Sequence, residues 1–208
     1  MNVVDGRQKA EYPNVSRETL DRLALYADLL VRWNGRINLV SRTTLANLGP
    51  RHIADSLQLR KYAPQGARTW LDLGTGAGFP GLVLALASAD WENPPKFTLV
   101  ESDRRKCEFL RSVARQTETA VEILTERIED LPSQEADVIS ARALAPLDHL
   151  LSLASPHGHG GTTYIFPKGG RHSEEIAGAT TWSFDCDVHD SETDAVARIL
   201  VLRNLRRV

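Results

Sequence analysis

The sequence predicts an α/β fold: a seven-stranded, mostly parallel sheet with a terminal antiparallel hairpin and an N-terminal helical extension. Three observations carry that prediction. From residue 69 onward, strand-like and helix-like segments alternate, the pattern of crossover units in a parallel sheet. The alternation stops near the C-terminus, where "WSFDCDVHD" (182–190) and "ARILVLRNL" (197–205) are separated only by the turn "SETDAV". And the first strand runs directly into "GTGAGFPG" (74–81), which sets Gly74, Gly76 and Gly78 on alternate positions.

Each element has its own signal. Residues 16–40 read as an amphipathic helix: Ser16 can cap it, Glu18 suits the first turn, and Leu20, Leu23, Ala27, Leu30 and Val31 recur at helical spacing. Gly35 breaks or ends it. A second helical piece, "RHIADSLQLRKYAP", follows Pro50. "TWLDLG" is the first strand and "GFPGLVLALASA" the helix after it, with Pro80 in its first turn, where a missing N–H does no harm. "KFTLVES" and "RRKCEFLRSVARQT" form the second strand–helix unit. "AVEILTERIEDLP" holds a third strand, "ADVISARAL" a fourth and "GTTYIFPKG" a fifth, with helices in "APLDHLLSLASP" and "HSEEIAGAT". The closing hairpin supplies the last two strands. The expected organisation is a flexible N-terminus over 1–15, a helical extension over 16–64 packed on the domain, and a ligand-binding domain over 65–208.

Composition narrows the class. Acidic residues number 27 against 25 Lys and Arg, a net charge of −2, so no strong non-specific grip on nucleic acid or membrane is predicted. No apolar run reaches membrane-spanning length, and the first residues lack the apolar core of a signal peptide. The two cysteines, Cys107 and Cys186, make neither a metal-spaced pair nor a disulfide framework, which fits a reducing, cytoplasmic setting.

In an open parallel sheet, ligands sit beyond the carboxyl ends of the strands, where the glycine loop lies. Glycine admits positive φ and lets a ligand approach a backbone with no β-carbon in the way. Two registers compete. G-x-G-x-G over 74–78 starts at the strand end, with Asp72 two residues earlier; an acid there suits an amino-bearing ligand such as the methionine part of S-adenosylmethionine. G-x-G-x-x-G over 76–81 is the dinucleotide fingerprint, but it starts late and places Pro80 where a pyrophosphate wants an N–H donor. Glu101, ending the second strand, can accept the ribose hydroxyls of either cofactor. A tight turn with no ligand is the remaining alternative.

Six further stretches, in order, carry a resemblance: "WNGRINLVS" (33–41), "RHIADSL" (51–57), "LDLGTGAGFPGL" (71–82), "RIEDLP" (127–132), "ARALAPL" (141–147) and "PKGG" (167–170). Together they resemble the glucose-inhibited division protein B family, the 16S rRNA guanine-N7 methyltransferases of the Rossmann-like class I methyltransferase fold. The resemblance implies methyl transfer from S-adenosylmethionine to N7 of one guanine in the decoding-region loop of 16S rRNA, with the small subunit or an assembly intermediate as partner. It implies cofactor contacts at Gly74, Phe79, Ile128, Glu129 and Arg142, beside Asp72, Gly76 and Glu101 from the residue reading. Two departures stand out: the glycine- and histidine-rich turn "PHGHGG" (156–161), and Pro167 where the family more often has leucine.

Guanine N7 carries a free lone pair, so no general base, catalytic triad or metal is expected. Arg142 and Lys168 are candidates to touch the guanine or its phosphates; alternatively, Arg142 pairs with Glu129 or Asp72 and shapes the pocket. Arg51, Arg60 and Lys61 with Arg104, Arg105 and Lys106 form either a basic rim for RNA or two solvated helix faces. His52 and Asp55 share a helical face and either pin the N-terminal helices or face substrate. Asn38 is the candidate for ordering a loop over the pocket. The C-terminal "RNLRR" reads as a charged edge strand or an RNA contact. His157 and His159 lack a third close ligand for a metal. The rival readings are a methyltransferase with a small-molecule or protein acceptor, a nicotinamide-binding oxidoreductase using the 76–81 register, and a ribosome-assembly factor without catalysis.

Overall fold

In a computed structural model of the chain, residues 15–41, 45 and 48–208 are described, without the side chains of Pro50 and Arg51. The expected flexible tail lies outside these residues, apart from Val15. Seven strands form one sheet: β1 (Thr69–Leu73), β2 (Lys96–Val100), β3 (Glu122–Leu124), β4 (Ala136–Ala141), β5 (Gly158–Lys168), β6 (Trp182–Asp190) and β7 (Arg198–Arg207). Their order is β3-β2-β1-β4-β5-β7-β6. The pairs β1/β2, β1/β4, β2/β3 and β4/β5 are parallel, whereas β7 is antiparallel to both β5 and β6. The strand order reverses at β1, between β2 and β4, which opens the crevice where such sheets take ligands.

The helices are α1 (Arg17–Asn34), a helical segment α2 over 49–62, α3 (Gly81–Ala87), α4 (Arg104–Gln116), α5 (Leu147–Ala154) and α6 (His172–Gly178). Ser16 caps α1 as its position predicts, its Oγ accepting from Thr19 N–H at 3.1 Å. The helix stops at Asn34, short of residue 40, because Asn34 Oδ1 accepts from the N–H groups of Leu39 and Val40, both at 2.9 Å, and folds the chain back. The segment α2 passes from a π-helical turn (Gly49–Ala54) through one α turn (Asp55–Leu57) to a 3-10 turn (Gln58–Tyr62).

Alternation along β1 assigns its side chains to two faces. Leu71 and Leu73 pack with Ile139, Leu150 and Leu151 under α5. Trp70 points the other way, into a cluster with Leu59, Leu84, Phe97 and Val138. A further layer joins Leu23, Tyr26 and Leu30 of α1 to Leu82 and Leu86 of α3 and Phe109 of α4. The N-terminal helices therefore share apolar core with the helices that follow β1 and β2.

Two expectations change, and a third holds for part of its strand. The segment "GHGG" falls within the bounds of the long strand β5, at an irregularity in its pairing with β4, where Ala136 pairs with Gly158 and Val138 next with Thr163. Pro80 stands at the N-cap of α3, one residue ahead of the first turn. Strand β7 lies between β5 and β6 over Arg198–Leu202, whereas its "RNLRR" end, residues 203–207, is paired with β6 alone; the outermost strand of the sheet is β6.

Candidate functional site

The glycine loop is built from its backbone. Gly74, Gly76 and Gly78 have φ of 63°, 60° and 104°, which side-chain-bearing residues rarely adopt. Thr75 N–H donates to Val100 O at 3.0 Å, and Thr75 O accepts from Gly78 and Phe79 at 2.8 and 3.0 Å, closing a tight turn. A β-carbon at Gly74 would lie 2.6 Å from Leu144 Cδ1, so Gly74 is also packed against its neighbour. At Gly76 the nearest atom to such a carbon is 3.9 Å away, which leaves an open face. Gly76 N–H donates to Glu101 Oε2 at 3.0 Å, and Asp103 N–H to Glu101 Oε1 at 2.8 Å. The tips of β1 and β2 thus present an open glycine face held against a fixed carboxylate, a cradle of the kind a nucleoside with ribose hydroxyls fits.

The start of α3 offers nothing to a pyrophosphate. Pro80 has no N–H, Gly81 N–H donates to Asp72 Oδ2 at 3.0 Å, and the N–H groups of Leu82 and Val83 both donate to Gly78 O. The dinucleotide register therefore lacks the free helical donors that it requires.

Asp72 is a correction. It was expected to meet a ligand's amino group, but it is 0 % exposed. It shares the β1 face of Trp70, which α3 covers. Its Oδ1 accepts from Ser140 Oγ at 2.6 Å, and Ser140 Oγ accepts in turn from Trp70 Nε1 at 2.9 Å. Burial pushes the Asp72 carboxyl up to about 6, against the opposing pull of Ser140, the Gly81 N–H and the Arg142 charge. Asp72 joins β1, β4 and α3 from behind the loop.

Beside the loop lies a stacked wall. Phe79 packs face to face with the His52 ring at 4.7 Å, and the Arg142 guanidinium sits over the same phenyl ring, also at 4.7 Å. Arg142 Nη1 reaches Asp55 Oδ2 at 3.2 Å and Nη2 reaches His52 Nδ1 at 2.8 Å. Its partners are thus on α2; Glu129 and Asp72, proposed from sequence, are not among them. His52 and Asp55 pin α2 through this arginine while lining the same cleft. Asp55 Oδ1 also accepts from Gln58 and from Thr193 in the β6–β7 turn. From the far side, Tyr26 of α1 donates its hydroxyl to Ala77 O at 2.8 Å and meets Phe79 edge-on at 5.7 Å. Burial holds the Tyr26 hydroxyl well above its usual range, so it stays a donor.

A cleft of about 940 Å³ opens over the carboxyl ends of β4 and β5. His52, Asp55 and Arg142 border it on one side, Lys168, Arg171, Glu174 and Glu175 on the other, and residues 143–146 form its floor. Lys168, a candidate phosphate contact, is 10 % exposed in its side chain and committed elsewhere. Its Nζ donates to Ala145 O and to Glu175 Oε2, each at 2.8 Å, and Glu175 Oε2 also accepts from Leu147 N–H at 2.9 Å. The pair clamps the β4–α5 loop, in which Ala143 has φ of 53° and Leu144 lies over Gly74.

Ile128 is buried at the start of a 3-10 turn (Ile128–Asp130), and Glu129 next to it is exposed. His157 and His159 do not converge: His157 Nε2 lies 3.1 Å from Ile128 O, and His159 Nε2 lies 3.2 Å from Asp137 Oδ1. Among the described residues, no group of three or more His, Cys, Asp or Glu has the geometry to hold a metal. Asn38 is exposed, and the loop-ordering bonds come from Asn34. The Arg51 side chain lies outside the described residues. Much of the expected basic rim is paired: Lys61 with Glu192, Arg105 with Asp103, and Lys106 near Glu101. Arg60 stacks on Trp91 at 4.8 Å.

Tyr26, Leu144 and Glu175 escape a reading of the sequence. Nothing in local spacing distinguishes Tyr26 from a core aromatic or Leu144 from a loop leucine; both matter through partners more than 50 residues away.

A sequence profile of the GidB family, described as rRNA small subunit methyltransferase G, matches residues 19–200. The chain is 44% identical over 205 residues to a Ribosomal RNA small subunit methyltransferase G of Ruegeria sp. (strain TM1040), covering 98% of this chain and 99% of that one. It is 52% identical over 194 residues to the protein of that name from Paramagnetospirillum magneticum, covering 93% and 92%. Among solved structures it is similar to a TehB-like SAM-dependent methyltransferase from Corynebacterium glutamicum, with TM-score 0.58 and 14% identity over 88% of this chain and 99% of that one. It is also similar to M. jannaschii TYW2 in complex with AdoMet, with TM-score 0.53 and 13% identity over 74% and 77%. The structural likenesses establish the fold.

Proposed function

Because the chain belongs to the GidB family, rRNA small subunit methyltransferase G, we propose that it transfers the methyl group of S-adenosylmethionine to N7 of one guanine in the decoding-region loop of 16S rRNA. The substrate is the small ribosomal subunit or an intermediate in its assembly, in the cytoplasm. No helix among the described residues is long and apolar enough to cross a membrane.

One observation carries this reading. Leu144 packs on Gly74 and also lines the cleft, so a donor pocket at the tips of β1 and β2 and an acceptor cleft over β4 and β5 share one residue as their partition. The residues fit the cofactor through the open face of Gly76, the Glu101 carboxylate held at the ribose position, and the Ile128–Glu129 turn for the adenine. S-adenosylmethionine supplies an electrophilic methyl on a sulfonium centre. The protein's part is to hold N7 in line with it. Positioning of this kind lowers a barrier by on the order of 7–11 kcal/mol at best. Phe79, His52 and Arg142 form a rigid wall, with Arg142 fixed by two partners, so it orients ligands without swinging. No proton leaves N7, so no base is assigned.

Charge agrees with that chemistry. Four carboxylates line the cleft (Asp55, Glu174, Glu175 and Asp194) against three cations (Arg142, Lys168 and Arg171). A slightly acidic cleft stabilises a base that becomes cationic as it is methylated. A guanine reaches it only when unstacked from its neighbours.

The test is N7-methylguanine mapping in 16S rRNA from cells with and without this gene, beside calorimetry of the purified protein with S-adenosylhomocysteine and with NADH. One modified guanine lost in the deletion, and binding of S-adenosylhomocysteine alone, is the expected result. An unchanged map, or binding of NADH alone, overturns the reading.

A further inference from the structure

His157 is the one buried histidine that the reading above leaves without a task. It ends a 3-10 turn (Ser155–His157) ahead of β5, and it is 2 % exposed. Its Nε2 lies 3.1 Å from Ile128 O, across 29 residues of chain. A carbonyl oxygen only accepts, so Nε2 carries a proton; in the neutral ring Nδ1 is then the bare nitrogen. Nδ1 is buried and has no hydrogen-bond partner among the described residues.

That arrangement is costly for a core position. A phenyl or leucyl side chain would fill the space without stranding a polar nitrogen. What the imidazole adds is a single bond, and its acceptor is informative. Ile128 O also accepts from Leu131 N–H at 3.3 Å, the bond that closes the Ile128–Asp130 turn. His157 therefore grips the turn at the carbonyl that closes it. The strand β3 leading into this turn is only three residues long, Glu122–Leu124, and Glu129 is exposed. The Ile128 side chain packs in the core with Leu73, Val100 and Ala141, and His157 adds the one side-chain hydrogen bond to its carbonyl among the described residues.

We infer that His157 is a positioning residue for the methyl donor: its Nε2–H fixes the Ile128–Glu129 turn that forms the adenine side of the donor pocket. The inference rests on the assignment of that pocket to S-adenosylmethionine. It makes the "PHGHGG" segment part of the cofactor site through its buried histidine.

The experiment compares the native protein with His157→Leu and His157→Gln. Leucine keeps the apolar volume and removes the donor; glutamine carries a donor at nearly the same reach. Calorimetry with S-adenosylhomocysteine, steady-state methylation of small subunits from a deletion strain, and thermal melts are read together. His157→Leu weakens S-adenosylhomocysteine binding about tenfold and raises KM for the donor similarly, the effect of one lost bond. The value of kcat stays within about twofold, and His157→Gln restores most of the affinity. A lowered melting temperature with native donor affinity makes His157 merely structural and overturns the inference. Should His157→Leu not fold, imidazole 15N shifts in the native protein decide. Protonated Nε2, bare Nδ1 and a change on saturation with S-adenosylhomocysteine support the inference; shifts indifferent to saturation overturn it. A native protein that binds no S-adenosylhomocysteine refutes the donor pocket itself, a distinguishable failure.

Discussion

Asp72→Asn gives the sharpest view of how the site is supported. The Asp72 carboxyl is wholly buried, and burial lifts it from 3.8 to about 6 in the folded protein. The sign follows from linkage. Below 3.8 the acid is protonated in folded and unfolded chains alike. Above about 6 it is ionised in both, and the folded state bears a buried charge. Between those values the folded state takes up the proton first, so this group's contribution to stability rises as pH falls. The shift corresponds to about 3 kcal/mol of destabilisation at neutral pH relative to the acid form. Asparagine has no such charge. Its amide oxygen can accept from Gly81 N–H as Asp72 Oδ2 does, and its NH₂ faces Ser140 Oγ, which already accepts from Trp70 Nε1. The variant therefore gives up one charge-assisted bond, about 1.5–3 kcal/mol, and is relieved of the buried charge, so at pH 7.5 the two proteins have similar stability. Urea unfolding at intervals from pH 7.5 to pH 4 is the assay. The native protein gains about 2.4 kcal/mol over the variant across that range, and other groups cancel in the difference. S-adenosylhomocysteine affinity changes no more than a few-fold, because Asp72 stands behind the loop. A difference flat in pH, or one falling toward acid, refutes the burial argument; loss of ligand binding with native stability places Asp72 at the ligand after all.

The other consequences are quicker to check. Lys168→Met strands Glu175 and releases Ala145 O; melts show a loss of about 2–3 kcal/mol, while the salt dependence of RNA affinity keeps its native slope, since a clamp releases no phosphate counterions. Gly74→Ala imposes about 1–2 kcal/mol of backbone strain at φ of 63° and drives a methyl into Leu144, so donor KM rises more than stability falls. Arg142→Lys keeps the charge but cannot bridge Asp55 and His52 while lying over Phe79; kcat/KM drops at least tenfold, with the donor still bound. Tyr26→Phe leaves Ala77 O without its donor, costs about 1–2 kcal/mol, and loosens the glycine loop, read as faster amide exchange at Gly76–Phe79.

What the sequence discloses follows the range of the interactions involved. Alternating elements, the glycine loop and the terminal hairpin are local patterns, and the sheet contains them. Asp72 is instructive because its identity was legible and its direction was not. Strand periodicity places Asp72 on the face of Trp70, and only the covering of that face by α3 decides that an acid there turns inward. Lys168 misleads for a related reason. A lysine at a strand end in an rRNA methyltransferase suggests a phosphate, yet the acceptor that holds it, Glu175, lies on a helix whose approach no spacing rule predicts. Asn34 and Asn38 show the limit at shortest range: both stand beside the helix end, and only the backbone path shows which one accepts from residues 39 and 40.

The same bonds bear on the division of the chain at residue 64. Tyr26 and His52 come from before that boundary, and both meet Phe79 of the glycine loop. Asp55 comes from before it too, and joins Arg142 at the end of β4 to Thr193 in the β6–β7 turn. The apolar layer under α1 is shared with α3 and α4, so its loss would bare Leu82, Phe79 and Phe109 together. An extension that supplies one wall of the cleft and half of a core behaves physically as part of the domain. Under the proposed function, its part is to hold Phe79 and Arg142 still. Near-neutral net charge fits such a design, because Arg142 and Lys168 at the cleft are already tied to acids of this chain. Under the proposed function, recognition of the RNA then rests more on the shape of a base admitted to a stiff cleft than on the charges of Arg142 and Lys168.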